Sequence, residues 1–168
     1  MSGKIRTAHS AAGAAAEPGV TVLSVNDGKV LAAIHADCFD APWDAAAFSQ
    51  LLSMPGTFGL IGKDGAQAVG MILARIAGED CEVLTVAVLL EARRRGIGGV
   101  LLDQAAQRGA RLGAQRQVLE VGVGNGPALR LYARIGFMRC GERPGYYSGT
   151  GGDACILARP IAGPGLDE

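Results

Sequence analysis

Arg93, Arg94 and Arg95 stand directly before Gly96, Ile97, Gly98 and Gly99, and the apolar run behind them has helical spacing. Positive charge, bare backbone and a helix start in one place make an anion site. The first amides of a helix have no intrahelical acceptor and carry partial positive charge, and glycine lets phosphate oxygens approach the backbone. The spacing fits neither the G-x-G-x-x-G of dinucleotide folds nor the G-x-x-x-x-G-K-[ST] of nucleotide triphosphatases. It does fit R-x-x-G-x-G, through Arg93, Gly96 and Gly98. Taken alone, that short pattern equally describes a solvated basic helix entrance whose glycines serve a turn.

Two further side chains can do proton chemistry. Glu120 lies inside the apolar run "QVLEVGV" (117–123), where an ionised group is costly unless it is paired, solvated or used. Burial strengthens a carboxylate as a base, which suits proton removal from an ammonium; the other reading is a strand glutamate paired with one of the chain's many arginines. Tyr132 shares a helical face with Ala128, Leu131 and Ile135, so it points inward, where a core tyrosine is the plain reading and its hydroxyl must find a partner.

Other chemistries find few residues. Cys38, Cys81, Cys140 and Cys155 are scattered without a CxxC, and His9 and His35 are the chain's 2 histidines. A histidine metal site is hard to assemble from these, as is a Ser-His-Asp or Cys-His device, so no metal is expected. His35 reads as a satisfied residue on a helix. The cysteine pattern, with no cleavable signal or long apolar run ahead of it, points to a reduced, cytoplasmic protein. A formal net charge of +0 offers no general attraction to nucleic acid or to an anionic membrane.

The elements that must position these groups fit one domain of 168 residues with 49% hydrophobic and 19% charged content. Residues 1–18 are small, polar and aperiodic and read as a flexible arm; 19–162 form the domain, and 163–168 a tail. "VTVLSV" (20–25) predicts a strand, followed by helices over 27–39 and 42–53. Residues 57–78 alternate around Lys63-Asp64-Gly65 as a hairpin, and 80–89 continue as a strand. The helix behind the glycine cluster, with Ile97, Leu101 and Ala105 in phase, stops at Gly113. A strand over 116–123, a helix over 125–137 and a closing strand pair over 138–161 complete the chain. No repeat or linker interrupts it.

Together, "VLTVAVLLEARRRGIGGVLLDQAAQRG", "VLEVGVGNGPALRLYARIGF", "PGYY" and "FDAPWDAAAFSQLL" resemble the GNAT superfamily of acyl-CoA-dependent N-acetyltransferases. Within it they resemble the RimI type, which acetylates the N-terminal alanine of a ribosomal protein. The resemblance covers nearly everything from Gly19 to Ile161. It implies an α/β fold of mixed α+β character, with a central twisted, mostly antiparallel sheet of about seven strands and flanking helices.

It implies acetyl-CoA as cosubstrate, with the amides of Arg94, Arg95, Gly96, Ile97, Gly98 and Gly99 cradling its pyrophosphate and Arg93 opening the motif. Val86, Ala87 and Val88 would offer strand backbone to the pantetheine arm. Asn125 would meet the cosubstrate, act as a plain N-cap, or do both. Glu120 would be the base and Tyr132 the acid toward the leaving thiolate. Trp43, Tyr146 and Tyr147 would flank the acceptor peptide, or serve as core and hairpin packing. Where the family often has proline after the fourth strand, this chain reads Leu89-Leu90.

The implied partner is an acceptor protein N-terminus on a ribosomal protein, served by a monomer or weak dimer that contacts neither nucleic acid nor membrane. An N-terminal amine, at a pKa of about 7.7 to 8.0, loses its proton far more easily than lysine at about 10.4, so one modest base suits it. Two rival readings share the scaffold: acetylation of a small-molecule amine or another protein amine, and a non-catalytic acyl-CoA-binding module.

Overall fold

The computed structural model describes residues 19–23, 25–147 and 152–163. The N-terminal arm of 1–18 lies outside the described residues, as does the tail beyond residue 163. The elements run β1 (Gly19–Val22), α1 (Gly28–Cys38), α2 (Ala45–Ser53), β2 (Thr57–Asp64), β3 (Gln67–Ala77) and β4 (Asp80–Val88). They continue with α3 (Ile97–Arg111), β5 (Arg116–Gly122), α4 (Gly126–Arg134), β6 (Met138–Tyr147) and β7 (Gly152–Pro160). Short 3-10 turns at Val25–Asp27 and Leu90–Ala92 lead into α1 and the arginine run.

The sheet has 7 strands in the order β1-β2-β3-β4-β5-β7-β6. Every neighbouring pair is antiparallel except β4 with β5. That parallel pair needs a crossover, and α3 supplies it. The mostly antiparallel seven-stranded sheet agrees with the expected fold. The sequence did not foretell that β7 inserts between β5 and β6.

α3 lies against one face. Its apolar stripe of Ile97, Leu101, Leu102, Ala105, Ala106 and Gly109 is buried, and two strand glycines let it come close. A Cβ on Gly62 would stand 2.9 Å from Ile97 Cγ2, and one on Gly70 3.1 Å from the same atom. α1 and α2 cover the other face, where Leu31 and Phe48 are fully buried. Asp44 starts α2, its Oδ1 accepting the Ala47 N–H at 2.8 Å. Truncating a core leucine such as Leu101 to alanine removes about 2–5 kcal/mol of stability. Among the described residues no helix is long and apolar enough to cross a membrane.

Candidate active site

The site begins with a break in the sheet. β4 and β5 pair in register from Asp80↔Arg116 to Val83↔Leu119, and there the pairing stops, although β4 runs on to Val88 and β5 to Gly122. The cause is local. β3 opposes Leu73 with Thr85 and Ala74 with Val83, so Leu84 is an extra residue in β4. Such a bulge bends its strand and ends regular pairing. The result is an opening between two strands that stay bonded to their outer neighbours, β3 and β7.

The bulge also decides which groups face the opening. Leu89 N donates to Val69 O at 2.8 Å, so by antiparallel alternation Ala87 turns its amide and carbonyl to β3, while Val86 and Val88 turn theirs to the open edge. Of the three residues expected to offer backbone, Val86 and Val88 turn it to the open edge and Ala87 turns it to β3. The Val88 carbonyl is already engaged, accepting Arg93 Nε at 2.9 Å and the Cys38 thiol at 3.6 Å.

Arg93 therefore ties the basic loop to the end of β4. Leu89 adopts φ −53°, within the range a proline would impose, yet keeps an N–H that proline lacks and uses it on Val69. Leu90 is 75% exposed. The loop thus keeps a proline-like backbone without the residue.

Beyond it, Arg94 (φ 64°) and Gly96 (φ 79°) adopt left-handed conformations, curling the chain into the start of α3. The first helical bond back to the loop is Val100 N to Gly96 O, which leaves the amides of Ile97, Gly98 and Gly99 directed out of the helix end. A Cβ on Gly99 would meet nothing within 4 Å, so this face of the helix start is open. The arginines are not equivalent: Arg95 is paired with Asp64 at the end of β2 and Arg93 serves Val88, whereas Arg94 has no side-chain partner among the described residues. Amide donors, an open surface and one uncommitted guanidinium fit the pyrophosphate of a CoA ester, and the open edge of β4 fits its amide-bearing arm.

Asn125 caps α4, its Oδ1 accepting the Ala128 N–H at 3.3 Å. The plain N-cap is thus realised, with the side-chain NH₂ as the group left to donate. Glu120 and Tyr132 approach the opening from different sides. Gln117, Leu119 and Val121 alternate toward α3, where Gln117 Nε2 donates to Leu102 O at 3.0 Å; Glu120 therefore faces away from α3. Its surroundings differ from the apolar ones expected. The carboxylate is 23% exposed and its Oε1 lies 2.9 Å from Arg143 Nε on β6, so the arginine-paired reading is realised. Tyr132 is buried on the α3 side, its ring 5.6 Å from that of Phe137.

The aromatic residues divide. Trp43 stacks on His35 at 5.2 Å and leans on Phe48 at 5.5 Å, with 37% of its surface exposed. It packs at the α1–α2 junction and keeps one edge in solvent. Its backbone N–H donates to His35 Nδ1 at 3.1 Å, so His35 is the satisfied helix residue expected. Tyr146 and Tyr147 end β6, and their side chains lie outside the described part of the molecule.

A shallow groove of about 610 Å³ lies at the opposite end of the sheet, around Asp80, Arg116, Met138 and Cys140, and contains none of these groups. Among the described residues no cluster of His, Cys, Asp or Glu could hold a metal ion. All 4 cysteines are free thiols.

Comparison with known proteins agrees with this layout. Residues 29–137 match the Acetyltransferase (GNAT) family. The chain is 35% identical over 151 residues to the N-alpha-acetyltransferase RimI of Mycobacterium tuberculosis, covering 86% of this chain and 94% of the relative. It is 31% identical over 125 residues to a putative ribosomal protein bS18-alanine N-acetyltransferase of Bacillus subtilis, covering 74% and 83%. It shares its fold with the crystal structure of the ribosomal-protein-S18-alanine N-acetyltransferase of Escherichia coli at a TM-score of 0.78 and 22% identity, over 90% of this chain and 98% of that one. A sheet split beside a glycine-led helix start, together with a family match over most of its length, settles the assignment: the chain belongs to the GNAT family and is an acetyl-CoA-dependent acetyltransferase.

Proposed function

We propose that the protein is an N-α-acetyltransferase that transfers the acetyl group of acetyl-CoA to the N-terminal alanine amine of a small-subunit ribosomal protein. The observation that carries this reading is the opening between β4 and β5, with a carboxylate on one side and a phenol on the other. The acceptor class follows from the likeness to the RimI relatives over most of both chains.

Acetyl-CoA supplies an acyl group already activated as a thioester. The amides of Ile97, Gly98 and Gly99 and the guanidinium of Arg94 hold its pyrophosphate, and Val86 and Val88 orient its arm as an added strand. Glu120 accepts the proton of the acceptor amine, directly or through a water, as nitrogen bonds to the carbonyl carbon. Tyr132 donates a proton to sulfur as the carbon–sulfur bond breaks. A phenol (pKa about 10) is a weaker acid than a thiol (about 8.5), so placement has to supply what acidity does not. Arg143 competes with the incoming amine for Glu120, and Trp43 lies with its exposed edge on the acceptor side of the sheet.

Incubating ribosomal small-subunit proteins with acetyl-CoA and the enzyme, then weighing each intact, tests the reading. One protein gaining a single acetyl group at an N-terminal alanine supports it. No gain there, with acetylation of polyamines or aminoglycosides instead, would replace it with the small-molecule reading.

A further inference from the structure

We infer that Arg159 is a positioning residue for the reaction: it fixes the C-terminal end of α4 and through that end sets the place of the Tyr132 phenol. The inference rests on the acid role proposed for Tyr132.

α4 needs such an anchor. It has 9 residues, and Tyr132 is the one among them that is buried. A helix this short has little stability of its own, so its ends and its few contacts determine where it lies. Asn125 fixes the first end. At the other, Gly136 (φ 95°) makes the left-handed turn, Gly136 N donates to Ala133 O at 3.2 Å and Phe137 N to Tyr132 O at 2.9 Å. This is a Schellman motif, and the hydrophobic contact that accompanies it is the Tyr132–Phe137 ring pair itself. The orientation of the candidate acid is thus part of the helix stop.

Arg159 grips that stop from β7. Its Nη1 donates to Ile135 O at 2.9 Å, satisfying a carbonyl that the helix end leaves over. Its guanidinium carbon lies 4.9 Å from the centre of the Phe137 ring. The remaining nitrogens reach elsewhere: Nε donates to Gln117 Oε1 at 2.9 Å and Nη2 to Asp103 Oδ1 at 2.8 Å. Gln117, fully buried, passes the linkage on by donating to Leu102 O at 3.0 Å. One guanidinium therefore joins α3, β5, β7 and the end of α4.

The cost of placing that charge where its side chain is 11% exposed is offset by an acceptor for each nitrogen. Lysine has no planar fork and cannot serve Gln117, Ile135 and Asp103 together. Arg159→Lys thus keeps the charge and releases the helix end.

The test combines two readouts on wild-type, Arg159→Lys, Tyr132→Phe and the double variant. Carbon-13 NMR of protein labelled at tyrosine Cζ reports the Tyr132 phenol directly, assigned by its loss in Tyr132→Phe and independent of any acceptor. In Arg159→Lys we expect the Tyr132 signal to move or broaden while the other two tyrosine signals hold. With an alanine-initiated peptide, we expect kcat to fall about 10-fold and the KM for acetyl-CoA to stay within about twofold.

Because Arg159 acts through Tyr132, the lysine substitution should cost much less in the Tyr132→Phe background, a non-additivity that a merely structural residue would not give. An unchanged Tyr132 signal, or losses that multiply in the double variant, would overturn the inference. A wild-type enzyme inactive on the peptide would instead count against the proposed acceptor, with the NMR result still deciding the placement. Should Arg159→Lys fail to fold, Asp103→Asn removes one arm of the fork and is read by the same two measurements, with a smaller displacement expected.

Discussion

Glu120 and Tyr132 stand on opposite faces of the sheet, on either side of an opening that begins where Val83 and Leu119 last pair. A molecule lying in that opening meets a carboxylate from one side and a phenol from the other. On the proposed mechanism the labour divides: binding belongs to the loop and to the β4 edge, proton handling to residues on β5 and α4. Glu120→Gln and Tyr132→Phe should therefore bind acetyl-CoA nearly as the wild type does and lose roughly 10²-fold in kcat. Titration calorimetry and steady-state rates check the two halves separately. Near-wild-type turnover in both variants would return the residues to an arginine-paired carboxylate and a core phenol.

Bulk at the helix start should act in the opposite way. A Cβ on Gly99 meets nothing within 4 Å of the protein, and one on Gly98 comes no closer than 3.4 Å to Leu131. Gly99→Val should leave the melting temperature almost unmoved while weakening acetyl-CoA binding at least about 10-fold, because its side chain would fill the space meant for phosphate oxygens. Arg94→Gln should weaken the same binding and flatten its salt dependence, since that guanidinium is the uncommitted one. Unchanged affinity in both variants would move the phosphate site elsewhere.

Close packing sets a different expectation at Gly109. A Cβ there would lie 2.9 Å from Cys81 Cβ, where α3 crosses β4. Gly109→Ala should destabilise the fold by about 1–3 kcal/mol in spite of alanine's better helix propensity. Urea unfolding measures it, and a stabilised variant would mean that α3 can lift from the sheet without penalty.

His35 gives the fold a pH dependence of known sign. Burial disfavours its charged form and lowers its pKa from 6.5, and Nδ1 already accepts the Trp43 N–H, so the neutral ring is the form that fits. The unfolded chain binds a proton near pH 6.5 and the folded chain only below it. The stabilising contribution is therefore complete above about pH 6.5 and is lost progressively as the pH falls beneath that value. The urea midpoint should drop between about pH 7.5 and pH 5.5, and His35→Gln should remove most of that drop. Equal drops in both proteins would assign the effect to other groups.

Much of this was written in the sequence because local rules suffice for it. Ile97, Leu101 and Ala105 mark α3 by their spacing, Gly113 its end and Asn125 the start of α4. The arginine–glycine run could be read as an anion site from helix-end chemistry alone. What stayed hidden is long-range. The extra residue Leu84 leaves no trace in "EVLTVAV", yet it turns the backbone groups of Val86 and Val88 to the open edge and ends the pairing with β5. Arg143 lies far from Glu120 in sequence and reaches it in the fold from β6, across the intervening strand β7. Arg159, at the chain's far end, looks like an ordinary strand charge until the fold gathers Asp103, Gln117 and Ile135 around it.

The proposed acetyl acceptor is an N-terminal amine. A peptide that begins with alanine and carries an internal lysine, incubated with enzyme and acetyl-CoA near neutral pH, places both amines in one competition. Fragment-ion mass spectrometry then locates the added group. Acetyl is expected on the alanine nitrogen, with lysine modified far less, as the difference between amine pKa values of about 8 and about 10.4 favours. Acetylation mainly on the lysine would contradict it.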